Sequence, residues 1–396
     1  MKEGWEYIDF KDVFPIKMGK TPPRGDKSSW DEKKETHNKW VSIADISNNE
    51  GKIIEDTKEY ISDSAAEKIN KVSKGSLLMS FKLSIGRMAF AGDDLYTNEA
   101  IIAIPENEKY ILRFIYYYLL SYDWLSLTEG NEKVKGATLN KTSIGKIQLP
   151  VLSLIEQQSI VDYLDSAFAK IDALKANAEK ALNEAKALFQ ASLKEMLEPK
   201  EGWLKDDLIK VFNFIDYRGA TPTKLDSGVP LVTAKNVKYG YIDYTIKDYI
   251  SKEEYESRKS RGISHKGDIL FTTEAPLGNV AIANLDEFSA GQRLITLQQY
   301  EKPRYNFVND FYYYYMLGPS FQKRIKELAT GATALGIKAK LLKTVVVPIP
   351  PLSEQQSIVT TLDSLKSKVD HLKANYDKIS QECDALKQAM LRQVFE

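Results

Sequence analysis

The sequence predicts an α+β protein: two globules of mixed α/β structure separated by two long helices forming an antiparallel coiled coil, pseudo-two-fold symmetric. Three observations carry this. The 396-residue chain repeats itself at a period near 198. Each repeat opens with short strand-like runs bounded by turn residues, and each closes with a proline-delimited, heptad-spaced stretch of roughly 45 residues.

The repeat is read directly from matching words in the same order. Gly4-Trp5 returns as Gly202-Trp203, and Gly19-Lys20-Thr21-Pro22 as Gly219-Ala220-Thr221-Pro222. Phe114 with Tyr116 to Tyr118 and Leu119-Leu120 answers Phe311 with Tyr312 to Tyr315, Met316 and Leu317. Gly136-Ala137-Thr138 answers Gly331-Ala332-Thr333, and Glu156-Gln157-Gln158-Ser159-Ile160-Val161 is identical to Glu354-Gln355-Gln356-Ser357-Ile358-Val359.

In the first globule, residues 1–150, the strand-like runs are Trp40 to Ala44, Leu77 to Phe81, Met88 to Ala91 and Ala100 to Ile104. The second, residues 200–350, offers Leu231 to Ala234, Asp268 to Thr272, Val280 to Ala283, Leu294 to Leu297 and Val345 to Ile349. Each is large enough for a core of its own.

The spacers, residues 151–199 and 351–396, follow Pro150 and Pro350-Pro351, which hold the chain extended. Ser153-Leu154-Ile155-Glu156 and Ser353-Glu354-Gln355-Gln356 both fit the capping-box pattern that opens a helix. In the second, Ile358, Leu362, Leu365, Val369, Leu372, Tyr376, Ile379, Cys383, Leu386 and Met390 alternate spacings of four and three, which is a coiled-coil seam. Subtracting 198 gives Ile160, Leu164, Ala167, Ile171, Leu174, Ala178, Ala181, Ala185, Leu188 and Ser192 for the first. Because helix 2 leaves a globule that follows the end of helix 1, it must run back antiparallel. Pro199 ends the first helix. At ~1.5 Å per residue such a helix is roughly 65 Å long, comparable with about two turns of B-DNA.

Composition narrows the chemistry. The chain has 43% hydrophobic residues and 11% aromatics, ample for sizeable cores. Its one cysteine, Cys383, excludes an intramolecular disulfide, and His37, His265 and His371 share no metal-ligand spacing. The start, Met1-Lys2-Glu3-Gly4-Trp5-Glu6, has no apolar core of a leader, and no run approaches the ~20 apolar residues of a membrane span. A cytoplasmic protein without membrane contact is expected. Net charge is zero, yet residues 199–352 hold 22 Lys/Arg against 17 Asp/Glu, while residues 1–152 hold 22 against 23. This permits nucleic-acid binding without demonstrating it. Gly19-Lys20-Thr21 imitates the end of a phosphate-binding loop, but Phe14 stands where its first glycine belongs and Pro22-Pro23 forbids the helix. No Asn/Asp-Pro-Pro-aromatic motif or Gly-x-Gly-x-x-Gly loop is present, and Asp26 with Glu32-Lys33-Lys34 is only a loose nuclease-like pair in a 28% charged chain. Catalysis is therefore not expected, nor a bound cofactor or metal.

The order of a globule, a Glu-Gln-Gln-Ser-Ile-Val helix, a second globule and a second such helix, with a Gly-x-Thr-Pro loop in each globule, resembles the specificity subunits of type I restriction-modification systems over essentially the whole chain. The resemblance implies a non-catalytic subunit whose two target-recognition domains each read one half of a bipartite asymmetric site in double-stranded DNA. It also implies that the helices set the spacing and dock two methyltransferase subunits, with restriction/translocase subunits joining the complex. S-adenosylmethionine and ATP/Mg would then belong to those partners. A non-catalytic coiled-coil scaffold whose globules bind protein or RNA is the alternative.

The candidate DNA contacts are polar and basic loops beside glycines: Lys17, Lys20, Thr21 and Arg24; Ser80, Lys82, Ser84 and Arg87; Lys133, Lys135, Thr138, Asn140 and Lys141. In the second domain they are Arg218, Thr221 and Lys224; Lys235 and Asn236; Thr272, Thr273 and Asn279; Thr333, Lys338 and Lys340. Lys and Arg suit phosphates, and Arg, Asn, Ser and Thr can pair with base edges. For any single residue, solvated surface is an equal reading. The tyrosine runs could stack on bases, but their helical spacing with Phe, Leu and Met favours the core. Asn98-Glu99 stands where the second domain has Gly291-Gln292, a difference expected if the domains read different sequences.

Overall fold

The computed structural model describes residues 2–127, 135–331 and 335–396, with backbone alone at 125, 126 and 135–138. It divides into two compact units, Met1–Ala176 with Lys378–Glu396, and Asn177–Asp377. Each unit therefore takes a globule together with parts of both long helices.

In the first unit a five-stranded sheet runs in the order Lys17–Met18, Ile101–Ile104, Leu77–Ser80, Met88–Ala91, Ile53–Ile54. A three-stranded sheet of Glu59–Tyr60, Lys39–Val41 and Tyr96–Thr97 lies in the same globule. The globule is closed by Glu6–Asp9 pairing antiparallel with Gln148–Val151. The predicted strand from Trp40 stops at Val41, because Ser42 and Asp45 form a reciprocal capping box that starts the helix Ile43–Asn48. The second unit repeats the scheme: Phe212–Asp216, Leu294–Gln299, Ile269–Thr272 and Val280–Ile282 form one sheet, and Tyr249–Ile250, Val229–Val232 and Ser289–Ala290 the other. Leu204–Asp207 closes on Val346–Ile349.

The tyrosine runs lie in the helices Leu112–Ser121 and Asn309–Leu317, and every one of their tyrosines is buried. Their hydroxyls find internal partners: Tyr117 donates to Asp165, Tyr118 to the Gln148 carbonyl at 2.6 Å, Tyr312 to the Pro348 carbonyl at 3.0 Å and Tyr314 to Asp363 at 2.5 Å. They are core residues that also tie each globule to a long helix.

The long helices are Leu154–Leu197 and Leu352–Phe395, 44 residues each. The first opens with the predicted capping box: the Ser153 N–H donates to Glu156 at 2.9 Å and the Glu156 N–H to Ser153 Oγ at 3.3 Å. The predicted box at Ser353–Gln356 does not form. That helix starts two residues earlier, at Leu352, with the N–H groups of Glu354 and Gln355 donating to the Pro351 carbonyl at 2.9 and 3.0 Å. Pro351 occupies the place of Ser153 and has no side-chain acceptor, so Glu354 instead accepts from Lys200 Nζ at 3.0 Å and Trp203 Nε1 at 2.9 Å. The next residue is the constant one. Gln157 accepts from the Ile111 N–H at 2.9 Å and Gln355 from the Val308 N–H at 3.1 Å, both glutamines being fully buried.

In the first unit, Asp172 pairs with Lys387 at 2.5 Å and Lys175 with Asp384 at 3.3 Å. Numbers that rise on one helix as they fall on the other define an antiparallel pair. Val161, Leu164, Leu391 and Phe395 enter one core, and Leu193, Leu197, Ile358 and Leu362 the other. The seam departs from the predicted one at three of its ten positions on the first helix, Leu174, Ala181 and Leu188. Leu164, Ile171 and Ala178 face inward, but Leu174 and Leu188 are 55% and 57% exposed. Lys175, Leu182 and Phe189 lie inward beside them instead, with Val161 and Phe168 earlier on the same stripe, so one stripe is displaced by one residue; Ile160 stays half-buried. On the second helix Ile358 and Leu362 are buried, and Leu365, Val369, Leu372, Tyr376 and Ile379 are half-buried. Leu386 is 51% exposed, and Lys387 turns inward over the Phe168 ring at 5.0 Å. A lysine stem covers the aromatic face while its ammonium reaches Asp172, which rewards the shifted register.

Candidate nucleic-acid interface

The Gly-x-Thr-Pro loops are held in both units by a carbonyl and a hydroxyl. In the first, the Lys20 N–H donates to the Thr97 carbonyl at 2.8 Å, and the Lys20 carbonyl accepts from Trp40 Nε1 at 3.1 Å. In the second, the Ala220 carbonyl accepts from Arg258 Nη1 at 3.2 Å. Arg258 is buried, and its Nε and Nη2 reach Ser289 Oγ at 2.9 Å and the Ala290 carbonyl at 2.8 Å. Its guanidinium also lies over the Tyr217 ring at 4.3 Å. Burial pulls the Arg258 pKa down from its ordinary value, against the nearby charge of Glu254.

Ahead of each tether the threonine hydroxyl reaches across to the bend before a central strand. Thr21 donates to Glu99, and Thr221 to Gln292 Oε1 at 3.1 Å. The Thr21 hydroxyl holds the Glu99 carboxyl below the usual carboxylate range, assisted by the charges of Lys82 and Arg24. In the second unit Gln292 lines a polar cleft of about 480 Å³ with Arg218, Arg293, Thr330 and Lys338.

The structure sorts the candidates into four groups. Ser80, Asn236, Thr272 and Thr273 are buried and internally satisfied, so they are not available to a ligand. Ser80 Oγ donates to the Ser84 carbonyl, and Asn236 holds Thr233 and the Asp243 and Ile246 carbonyls as the counterpart of the capping Asp45. Thr272 Oγ1 accepts from the Asn279 N–H at 2.8 Å, Thr273 donates to the Arg293 carbonyl at 3.1 Å, and Asn279 Nδ2 donates to the Val237 carbonyl at 2.9 Å. Small polar residues beside glycines serve turns as readily as ligands, which is why sequence alone misassigned them.

Several others are surface groups already engaged. Arg24 pairs with Glu59 at 2.5 Å and stacks over Trp30 at 4.2 Å; Arg87 pairs with Glu50, Arg218 with Asp216 at 2.5 Å and Lys224 with Asp248 at 2.5 Å. Burial works against ionised Asp216, but Arg218 outweighs it and keeps that carboxyl below the usual range. Asn140 caps the helix Lys141–Gly145 through the Ser143 N–H at 2.8 Å.

A third group is free to meet a ligand. Lys17, Lys20, Lys141, Lys235, Lys338 and Lys340 are exposed and carry no ion pair among the described residues, and half-buried Lys82 and Ser84 stand on the short strand Lys82–Ser84. Lastly, Lys133 and Thr333, and the side chains of Lys135 and Thr138, lie outside the described residues. Sequence reasoning missed Trp40 and Arg258 as tethers, and Arg293 altogether. The changed dipeptide at Glu99 and Gln292 was the signal for the position that varies. Among the described residues no group of acidic, His or Cys side chains could hold a metal ion, and no helix is long and apolar enough to cross a membrane.

Two mixed globules, each followed by a long helix, define a duplicated domain-and-helix protein. The family described as the type I restriction modification DNA specificity domain matches residues 2–184 and again residues 206–381, and the chain belongs to that family. It is 24% identical over 324 residues to the type I restriction enzyme EcoBI specificity subunit of Escherichia coli, covering 73% of this chain and 66% of that one. It is 26% identical over 280 residues to the EcoKI specificity subunit of E. coli strain K12, covering 66% and 60%. The matches thus span just under two thirds of these relatives' lengths. A chain from a solved structure of the type I R-M system shares the fold, with a TM-score of 0.74, 19% identity and coverage of 100% of this chain and 98% of that one.

Proposed function

We propose that this chain reads double-stranded DNA on behalf of an enzyme complex and performs no catalysis itself. Each globule contacts one half of a bipartite asymmetric site, and the long helices set the unread spacer and dock two methyltransferase subunits. Restriction/translocase subunits join through that assembly, in the cytoplasm. S-adenosylmethionine and ATP with Mg would serve those partners, with none held by this chain. The carrying observation is the duplication: one DNA specificity description matches both halves, while the residues at the loop tips, Glu99 against Gln292, differ between them. Two readers of unlike sequences need that combination of a shared frame and divergent tips. The free lysines around each loop suit phosphates, which fix register without carrying sequence. The family match favours DNA over the reading as a scaffold for protein or RNA.

The test is a domain exchange. With residues 1–150 replaced by the matching globule of another family member and co-expressed with the methyltransferase, one half of the methylated sequence changes and the other stays. A change in both halves would overturn the modular reading.

A further inference from the structure

Glu99 and Gln292 occupy equivalent places: each follows a short strand paired parallel to a three-stranded sheet, precedes a central strand of the larger sheet, and accepts from the threonine of its Gly-x-Thr-Pro loop. They leave different chemistry facing outward. Thr221 occupies one acceptor site of Gln292 Oε1, and Gln292 Nε2 has no partner among the described residues. The amide therefore presents its NH2 donors beside one remaining acceptor, the pairing that matches N7 and N6 of adenine. Glu99 is exposed, its Oε2 is taken by Thr21, and its carboxyl is kept ionised by that hydrogen bond. It offers acceptors only. A carboxylate is repelled by phosphates, so in contact with a duplex its complement is a base amino group, the N4 amino group of cytosine.

We infer that Glu99 and Gln292 are paired specificity-determining residues, Glu99 selecting a cytosine in the half-site of the first globule and Gln292 an adenine in that of the second. The inference rests on the DNA-reading role proposed above. The flanking cations fit it. Lys20 beside Thr21, and Lys338 in the cleft of Gln292, are unpaired among the described residues and can hold the backbone while the tips meet base edges.

The experiment uses the full chain assembled with its methyltransferase partners. The wild type, Glu99→Gln and Gln292→Glu complexes are compared by methylome sequencing of the expressing host. Purified complexes are then titrated with duplexes differing at one base pair. Glu99→Gln is expected to lower preference for the parent first half-site roughly tenfold, replacing cytosine by adenine at one position and leaving the second half-site as it was. Gln292→Glu does the reverse in the second half. Both changes are isosteric, and melting of each complex checks that the fold persists. If a variant misfolds, the complex carrying Thr21→Val or Thr221→Val, which frees the same side chain without changing its chemistry, is titrated in its place: weaker discrimination at one base pair of that half-site, with the preferred base and the other half-site kept, is expected, and unchanged discrimination overturns the assignment. If the wild type reads a bipartite sequence and both variants retain it unchanged, the assignment of Glu99 and Gln292 is wrong while the reading role stands. If the wild type shows no sequence preference, the reading role itself falls.

Discussion

The two Gly-x-Thr-Pro loops follow one plan and are built from different parts. The carbonyl after the glycine is held in both, by the Trp40 indole at 3.1 Å in the first and by the buried Arg258 guanidinium at 3.2 Å in the second. The glycines are needed for different reasons. A Cβ on Gly19 would stand 2.0 Å from the Thr97 carbonyl oxygen, whereas Gly219 has open space around it but adopts φ +79°. The first is glycine because of what it touches and the second because of how it turns. What the comparison teaches is that the backbone position of the loop is the invariant, and the donors that fix it and the side chains it displays are free to change.

Removing Arg258 should break the comparison most severely. Arg258→Ala leaves the Ala220 and Ala290 carbonyls and Ser289 Oγ without their donor, each at about 1–3 kcal/mol, so a loss of about 3 kcal/mol or more is expected. Trp40→Phe removes a single hydrogen bond and trims part of a fully buried indole, costing about 2 kcal/mol. Urea unfolding with hydrogen exchange followed over residues 17–24 and 217–224 reads both; equal losses would mean that the tethers are not what differs. The glycines come next. Gly19→Ala must displace backbone and should cost about 2 kcal/mol, while Gly219→Ala meets only the left-handed penalty of about 1 kcal/mol. A melting comparison in which Gly219→Ala is the worse would refute the distinction.

The smallest effect is pH dependence. The folded-state pKa of Glu99 is lowered, chiefly by the Thr21 hydroxyl. Its contribution to stability is therefore present above its ordinary value of 4.5 and is lost as pH falls through the lowered folded value. The amide of Gln292 has no such titration. The difference in stability between wild type and Thr21→Val should shrink on acidification, and that between wild type and Thr221→Val should not. Parallel pH profiles for the two would contradict the ionised state of Glu99.

Much of the fold was legible. The tyrosine runs read as core, the first long helix began at its expected Ser153 cap while the second began two residues before its Ser353 cap would have allowed, and the Glu-Gln-Gln word proved to be a staple through Gln157 and Gln355. The site was legible only in outline. Asn236 is the turn partner of Thr233 just as Asp45 is of Ser42, and a comparison of those two spacings could have removed it from the candidates. Thr272 and Thr273 lie in and beside a fully buried strand whose inward face no local pattern reveals. Arg258 escaped because it reads as one more charge on the surface helix Lys252–Arg258.

By itself the sequence determined the duplication, the class of each segment and the antiparallel course of the helices, because repeats, hydrophobic period and chain connectivity are properties of order along the chain. Tertiary structure decided the seam and the tips. Which of Leu174 and Lys175 turns inward depends on what the facing helix presents some two hundred positions away, and which polar residue is tied up and which is left facing solvent depends on partners brought in from other strands and loops, such as Glu99 for Thr21 and Arg293 for Thr273. Those are energies of contact, and no local window contains them.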